Sequence, residues 1–518
     1  MDKINLLAIK EFCSKNVCFL MFWCFFVLYL LLGVILNCQT DAAFRGGWDV
    51  VYALDTRSRM FDFTEPFVKG FAYPEVHPFQ LVTTPAIVFP FKFLGFSNIF
   101  TVILVQSILG AGSVCFVYKI LELVSNSRRK NLLLSFVYAL SFSILLFVSS
   151  PENYIFVTFF SSVNLYYVLK CRNLEKLSWI NIFVLAFMSV LMYSINLICI
   201  AYSLVLIFYL LFCIYGRKFK EVFAGLFKFL IILFSFTVLF AIAHKTLYPH
   251  LESVQDLFIK KEVVETKIDR HNNLFTTKKF NKDTLVNVFE GVFVKPFYAL
   301  KSEVRVDNNN LLGSNWNFVF GQEKEIYYPM GFFLGIPLLA FVFSIFLHFV
   351  SKFCNHSRLE PFKDGIKHIG LTTVCFILLC MNILFSTLYA SWECFLYSLN
   401  AFIYFVILIG LLAIKCNEKI FMAVTLLFIF FQIIMNFGTL GLLRDYLYIN
   451  SSPNHYFNIP IYSICIFLFL AFLLTFFIKE KMQKVVENIS TEKKYLICVV
   501  VYIMLIIIYS VFEYIFKV

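Results

Sequence analysis

Residues 17–37 read VCFLMFWCFFVLYLLLGVILN, an uncharged run of 21 residues. A helix of that length is about 30 Å long, the thickness of a bilayer's hydrocarbon core. The run has a lysine-containing flank but no small-residue cleavage site behind it, so it is expected to be a retained first helix and not a removed signal peptide. A charged island follows at once: Asp41, Arg45, Asp49, Asp55, Arg57, Arg59, Asp62, Glu65, Lys69, Glu75 and His77. Hydrophobicity then returns and dominates the remaining chain. Acidic groups placed directly behind a first span put chemistry at one membrane face.

The composition agrees. The 518 residues are 60% hydrophobic, include 68 Phe and are 15% charged, too little polar surface for a soluble protein of this size. The expected fold class is all-α, a polytopic transmembrane protein of about 13 spans. The spans are 17–37, 98–122, 131–150, 154–170, 178–193, 196–215, 222–243, 329–350, 369–388, 399–415, 419–437, 459–478 and 495–513. The formal net charge of +12 is scattered over loops, which topology explains without a nucleic-acid partner. Most of the fifteen cysteines fall inside apolar segments and none forms a CxxC pair, so they read as small membrane hydrophobes.

Lysine and arginine set the orientation. With the N-terminus cytoplasmic, the inner segments hold Lys3, Lys10 and Lys15, then Arg128 to Lys130, and later clusters up to Lys493 and Lys494. The short outer loops after 150, 193, 388 and 437 hold only Arg444. That asymmetry is the expected mark of cytoplasmic loops. Two outer regions are long, 38–97 and 244–328. Residues 1–478 then form one transmembrane domain, and 479–518 an inner basic loop with the last helix. Phe79 to Gly95 is apolar but holds Pro85 and Pro90 behind Pro78. Each proline inside a helix removes a hydrogen bond and costs about 3 kcal/mol. This stretch reads as a broken helix lying on, or dipping into, the outer interface.

Several residues could carry chemistry. Asp41, Arg45 and Asp49 are spaced i, i+4, i+8, as are Asp55 and Arg59 at i, i+4. A helix would align them, although Gly46 and Gly47 weaken it by about 1 kcal/mol each. A carboxylate near the lipid boundary kept ionised by arginine suits a general base. Surface ion pairs holding the loop together would look the same. His77, ahead of Pro78, is a candidate phosphate or metal ligand or an acid, and equally a helix cap. Glu152 follows Pro151 where a span begins, which is ordinary first-turn chemistry. Glu393, in an otherwise apolar and aromatic loop, is costly unless paired. Trp392 and Tyr397 fit an interfacial aromatic belt. Arg444 beside Asp445 is an ion pair or a lipid-phosphate ligand. There is no Walker A loop, HExxH or GxSxG, and charges within the spans are sparse.

Three short stretches carry a resemblance: Trp48 to Asp55 (WDVVYALD), Val76 to Phe79 (VHPF) and Phe395 to Ser398 (FLYS). Together with the order of first helix, acidic outer loop, interfacial helix and many spans, they resemble the GT-C fold glycosyltransferases, in a bacterial branch of that superfamily. That branch has a His-Pro-Leu-Phe type of motif and a Glu-x-Phe-Leu-Tyr-Ser-Pro stretch. Phe79 stands here in place of the Leu, and Leu399 in place of the Pro.

The resemblance implies a polyprenyl-phosphate-linked sugar as donor, a glycan, lipid or protein acceptor, and inverting transfer at the outer face of a bacterial inner membrane. An aspartate of the first outer loop would be the base: Asp49 first, then Asp55 and Asp41. His77, Glu152, Glu393 and Tyr397 would line the site. Arg444 as the phosphate ligand rests on charge alone. No cofactor is required by this reading, and a divalent metal is an option. A lipid-linked glycan flippase or other transporter, and a surface polysaccharide polymerase or ligase, share the many spans. A transporter needs a polar path through the spans, and a polymerase usually centres on arginines in large outer loops.

Overall fold

The computed structural model describes residues 16–37, 56–66, 70, 77–251, 253, 290–294, 296–297, 301–302, 326–327, 362–389, 394–414, 416–449 and 491–516. The described chain is helical apart from one short pairing, in which β1 (Lys301–Ser302) runs antiparallel to β2 (Ile326–Tyr327). The helices are α1 (Val17–Asn37), α2 (Thr56–Thr64), α3 (Gln80–Lys92), α4 (Asn98–Val124), α5 (Arg128–Ala139), α6 (Phe142–Ser149) and α7 (Tyr154–Cys171). They continue with α8 (Trp179–Ile195), α9 (Cys199–Tyr215), α10 (Phe219–Leu247), α11 (Phe362–Tyr389), α12 (Cys394–Ala413), α13 (Glu418–Ile449) and α14 (Thr491–Phe516). Six are long and apolar enough to cross a membrane, and the bent pair α5–α6 makes a seventh candidate. The expected segments 329–350 and 459–478 lie outside the described residues.

The chain is a helical membrane protein, and its surface says so. Helix α10 buries Phe229, Leu233 and Phe236 on one side. On the other it exposes Phe223, Phe227 and Phe234 at 61%, 66% and 69%. Such a face is unfavourable in water and at home in lipid. Helices α13 and α14 expose similar apolar faces, through Phe430 and Ile434 and through Val501 and Ile508.

Helix α4 is the axis of the bundle, with α1 and α7 as its main partners. Small residues allow the closest approaches. Gly33 of α1 lies against Ile103, and Gly110 of α4 lies against Val148 and Tyr29, leaving no room for a Cβ. Close backbone approach through small residues is a common way for helices to associate where lipid removes the hydrophobic drive. The Tyr29 hydroxyl then donates to Ala139 O at 2.8 Å, at the end of α5.

The expected span 131–150 is not one helix. It breaks between α5 and α6, which meet at a bend of 52°. A break inside a membrane must have its freed backbone groups satisfied by the protein. Phe142 N and Ser143 N donate to Phe297 O and Pro296 O at 3.3 and 3.1 Å. Two amides of α13 do the rest. Gln432 donates to Val137 O at 3.2 Å, and Asn436 to Leu140 O and Phe297 O at 2.8 and 2.9 Å. Part of the second long loop therefore fills the break.

Helix α3 also differs from expectation. It is continuous across Pro85 and Pro90 and is buried from Gln80 to Ala86. It is not broken, and the protein covers its first half. Pro85 frees the carbonyl four residues back, on Leu81, and that oxygen accepts from the Tyr248 hydroxyl at 3.1 Å. Tyr248 is itself linked to Tyr509 at 2.8 Å, and Tyr502 donates to Thr83 O at 2.8 Å. The Tyr248 phenol thus replaces what Pro85 removes, and two phenols of α14 support the arrangement.

Replacing Gly110 by Leu should overpack the α1–α4–α6 junction and destabilise the purified protein by roughly 1–3 kcal/mol. Thermal unfolding in detergent checks this; an unchanged midpoint would mean that the junction is not closely packed.

A buried ionic cluster at one membrane end

Asn37, Ser149, Glu152 and Ile195 all lie at helix ends on one side of the bundle. The Asn37 amide ties α1 to Ser149 O at 2.5 Å, and Gln106 of α4 donates to Ser150 O and Glu152 O at 3.0 and 2.9 Å. At the opposite end, the Lys130 ammonium caps α12 through Ala413 O and Cys416 O, at 2.9 and 2.6 Å.

The first end holds the candidate site. Arg59 and Asp62 stand one turn apart on α2 and pair at 3.0 Å. Gln80, the first residue of α3, bridges them. Its Oε1 accepts from Arg59 at 3.1 Å and from Asn153 at 2.7 Å. Its Nε2 donates to Asp62 at 2.7 Å. The Glu152 carboxylate lies 3.9 Å from Arg59 Nε and accepts from Asn153 N at 3.2 Å. All five side chains are buried, with Asp62 at 0% and Arg59 at 3% exposure. Nearby, Lys92 donates to Thr64 O at 2.6 Å and Asn98 to Glu65 at 3.2 Å, so α2 is held at both ends of α3.

Desolvating such charges costs several kcal/mol each, and removing one partner of a buried pair costs about 3–5 kcal/mol. The cluster therefore fixes α2 against α3, α4 and the start of α7. In sequence, α2 begins directly after Asp55 and seven residues after Asp49. The cluster thus anchors the helix that follows the acidic stretch in sequence.

His77 sits beside this cluster, half-buried. Its Nδ1 bonds Ile195 O at the end of α8, while Phe79 N donates to Ser194 O at 3.0 Å. The cap of α3 is Phe79, with no side-chain bond, so His77 closes the neighbouring helix and not its own. Burial and the Arg59 charge push its pKa down from 6.5 to about 3, against the opposing effect of the Ile195 bond. It is a neutral imidazole at physiological pH, suited to accept a hydrogen bond at Nε2 and unsuited to pair with phosphate as a cation.

The other expected site residues are distributed as follows. Glu152 belongs to the cluster, but it precedes α7 and does not sit in its first turn. Arg444 is exposed on α13, which runs on to Ile449, so the stretch expected as loop from 438 is helical up to that residue. Tyr397 lies near the start of α12, and its side chain is outside the described residues. Asp41, Asp49, Asp55 and Glu393 also lie outside them. Asp62, Gln80, Asn153 and Gln106 are additions. Gln80 and Gln106 had a sequence signal, a polar residue in an apolar neighbourhood; Asp62 stood among the island's other charges and Asn153 in a polar turn. Among the described residues no group of three His, Cys, Asp or Glu is placed to hold a metal ion, and the two buried carboxylates are engaged with Arg59.

Since the unfolded chain takes up a proton near pH 6.5 and the folded chain holds off to about 3, the stability that neutral His77 contributes is lost as pH falls through that window. The midpoint difference between wild type and His77→Asn should therefore shrink on acidification from about pH 7 to about pH 5. A difference independent of pH would show that His77 is not held neutral. Compared with known proteins, the chain matches no family model, no curated protein and no solved structure.

Proposed function

We propose that the chain is a membrane glycosyltransferase that moves a sugar from a polyprenyl-phosphate carrier to an acceptor hydroxyl at the outer face of the inner membrane. The observation that carries this reading is the buried cluster of Arg59, Asp62, Gln80, Glu152 and Asn153, which anchors the segment directly behind the acidic loop. A general base works only when its position is fixed. A rigid anchor directly behind the acidic stretch supports that role for a loop aspartate.

In this mechanism Asp49, or its neighbours Asp55 and Asp41, takes the proton from the acceptor hydroxyl. The acceptor oxygen attacks the anomeric carbon while the bond from that carbon to the phosphate oxygen breaks, and the carrier phosphate leaves with the electron pair. Inversion follows from single displacement. His77 supports the site as a neutral acceptor. Arg444 remains the candidate contact for the leaving phosphate, now as a helix residue.

A second reading has one specific observation behind it. The bent pair α5–α6, filled by Pro296 and Phe297, has the discontinuous form that transporters use at their binding sites. A lipid-linked glycan flippase would translocate its substrate without breaking the glycosidic bond.

Transfer of labelled sugar from a panel of polyprenyl-phosphate-sugars separates the two. Asp49→Asn should lower transfer by roughly 10²–10⁴-fold with folding intact, the usual worth of a general base. Full activity in that variant moves the base to Asp55 or Asp41. Wild-type protein that translocates the lipid and transfers nothing would establish the flippase. The orientation has its own check. A cysteine at exposed Leu197 should react with impermeant maleimide from outside, and one at Lys218 only from the cytoplasm; the reverse pattern overturns the topology.

A further inference from the structure

A second polar group of side chains lies inside the bundle, apart from the Arg59 cluster. Tyr202 of α9 donates to Asn382 of α11 at 2.8 Å. Its ring meets that of Tyr404 of α12 edge-on, 5.9 Å between centroids. Asn400 stands one turn before Tyr404 on the same helix, and Ser161 of α7 neighbours the Tyr404 hydroxyl. All five are at most 1% exposed. Counted along their helices from Tyr154, Cys199, Tyr389 and Cys394, they lie roughly 5–15 Å in.

Three of their polar atoms find no partner among the described residues: Asn382 Nδ2 and Asn400 Oδ1 and Nδ2. Folded proteins leave few such atoms buried. Leu in place of Asn and Phe in place of Tyr would fill the same volume without the desolvation cost, so packing does not explain the choice. The chemistry is also selective. None of the five is charged, which leaves phosphate, carboxylate and ammonium groups without a counter-ion. Two carboxamides and hydroxyls, walled by aromatic rings, match a ring that carries hydroxyls on its rim and C–H bonds on its faces.

We propose that Ser161, Tyr202, Asn382, Asn400 and Tyr404 form a binding site for a neutral polyhydroxylated ligand, a single sugar unit. The site deepens the transferase reading by naming the groups that hold a sugar, but it is inferred from its own geometry.

The test uses the full chain in nanodiscs. Thermal unfolding is followed with a panel of neutral monosaccharides and their methyl glycosides, for wild type, Asn400→Leu and Tyr404→Phe. At least one sugar should raise the wild-type midpoint in proportion to the logarithm of its concentration. Both variants should lose that shift, while their ligand-free midpoints stay level or rise. Three results would overturn the proposal: no sugar shifts the wild type, the variants respond as the wild type does, or their ligand-free midpoints fall by several degrees, marking a structural network. The experiment is independent of transfer: inactivity in the sugar-transfer assay together with an intact sugar shift would remove the transferase reading and leave this site standing.

Discussion

Inside a bilayer no water is available to a backbone group that loses its helical partner, and the protein itself must supply one. Much of this architecture follows from that constraint. Where α5 gives way to α6, the amides of Gln432 and Asn436 and the carbonyls of Pro296 and Phe297 complete the interrupted ladder. Where Pro85 frees the Leu81 carbonyl, Tyr248 takes it. Where α6 ends, Asn37 meets the last carbonyl. The tertiary contacts of the bundle are to a large extent repairs of secondary structure, and each repair joins segments far apart in sequence.

The Arg59 cluster obeys the same logic with charges. A guanidinium between two carboxylates is expensive to bury and is tolerated because a neutral amide distributes the hydrogen bonds. Gln80 accepts from the cation and donates to the anion at once, which neither Asn, one carbon shorter, nor an acid could do in the same place. The result is stiffness in a region that the sequence marks only as charged.

How much of this was legible beforehand varies by element. The limits of α1 and the starts of α4 and α7 follow from apolar runs; Ser97, whose side chain accepts from Phe100 N, caps the start of α4. The bend after Ala139 was not legible, because the amides that satisfy its backbone, Gln432 and Asn436, lie almost 300 residues away. The prolines of α3 pointed to a break because a linear reading cannot see Tyr248. Glu152 and His77 stood out as polar groups at span ends; Glu152 is part of the buried cluster and His77 stands beside it. Asp62 was counted among loop charges. Gln80 passed as an unremarkable amide; its role exists only once α2 and α3 are side by side. The run beyond 437 looked like a loop because Arg444 was weighed as a topology signal and not as a helix residue.

The filled break also sets an order of assembly. Ser143 waits for Pro296, 153 residues later in the chain, and Val137 waits for Gln432, 295 residues later. At synthesis rates of roughly 5–20 residues per second, the first wait lasts about 8–30 s and the second about 15–60 s. During that interval the bent pair is made but its backbone is incomplete. The nascent chain must therefore keep this segment sheltered, within the insertion machinery or against α1 and α4, until the later half arrives to close it.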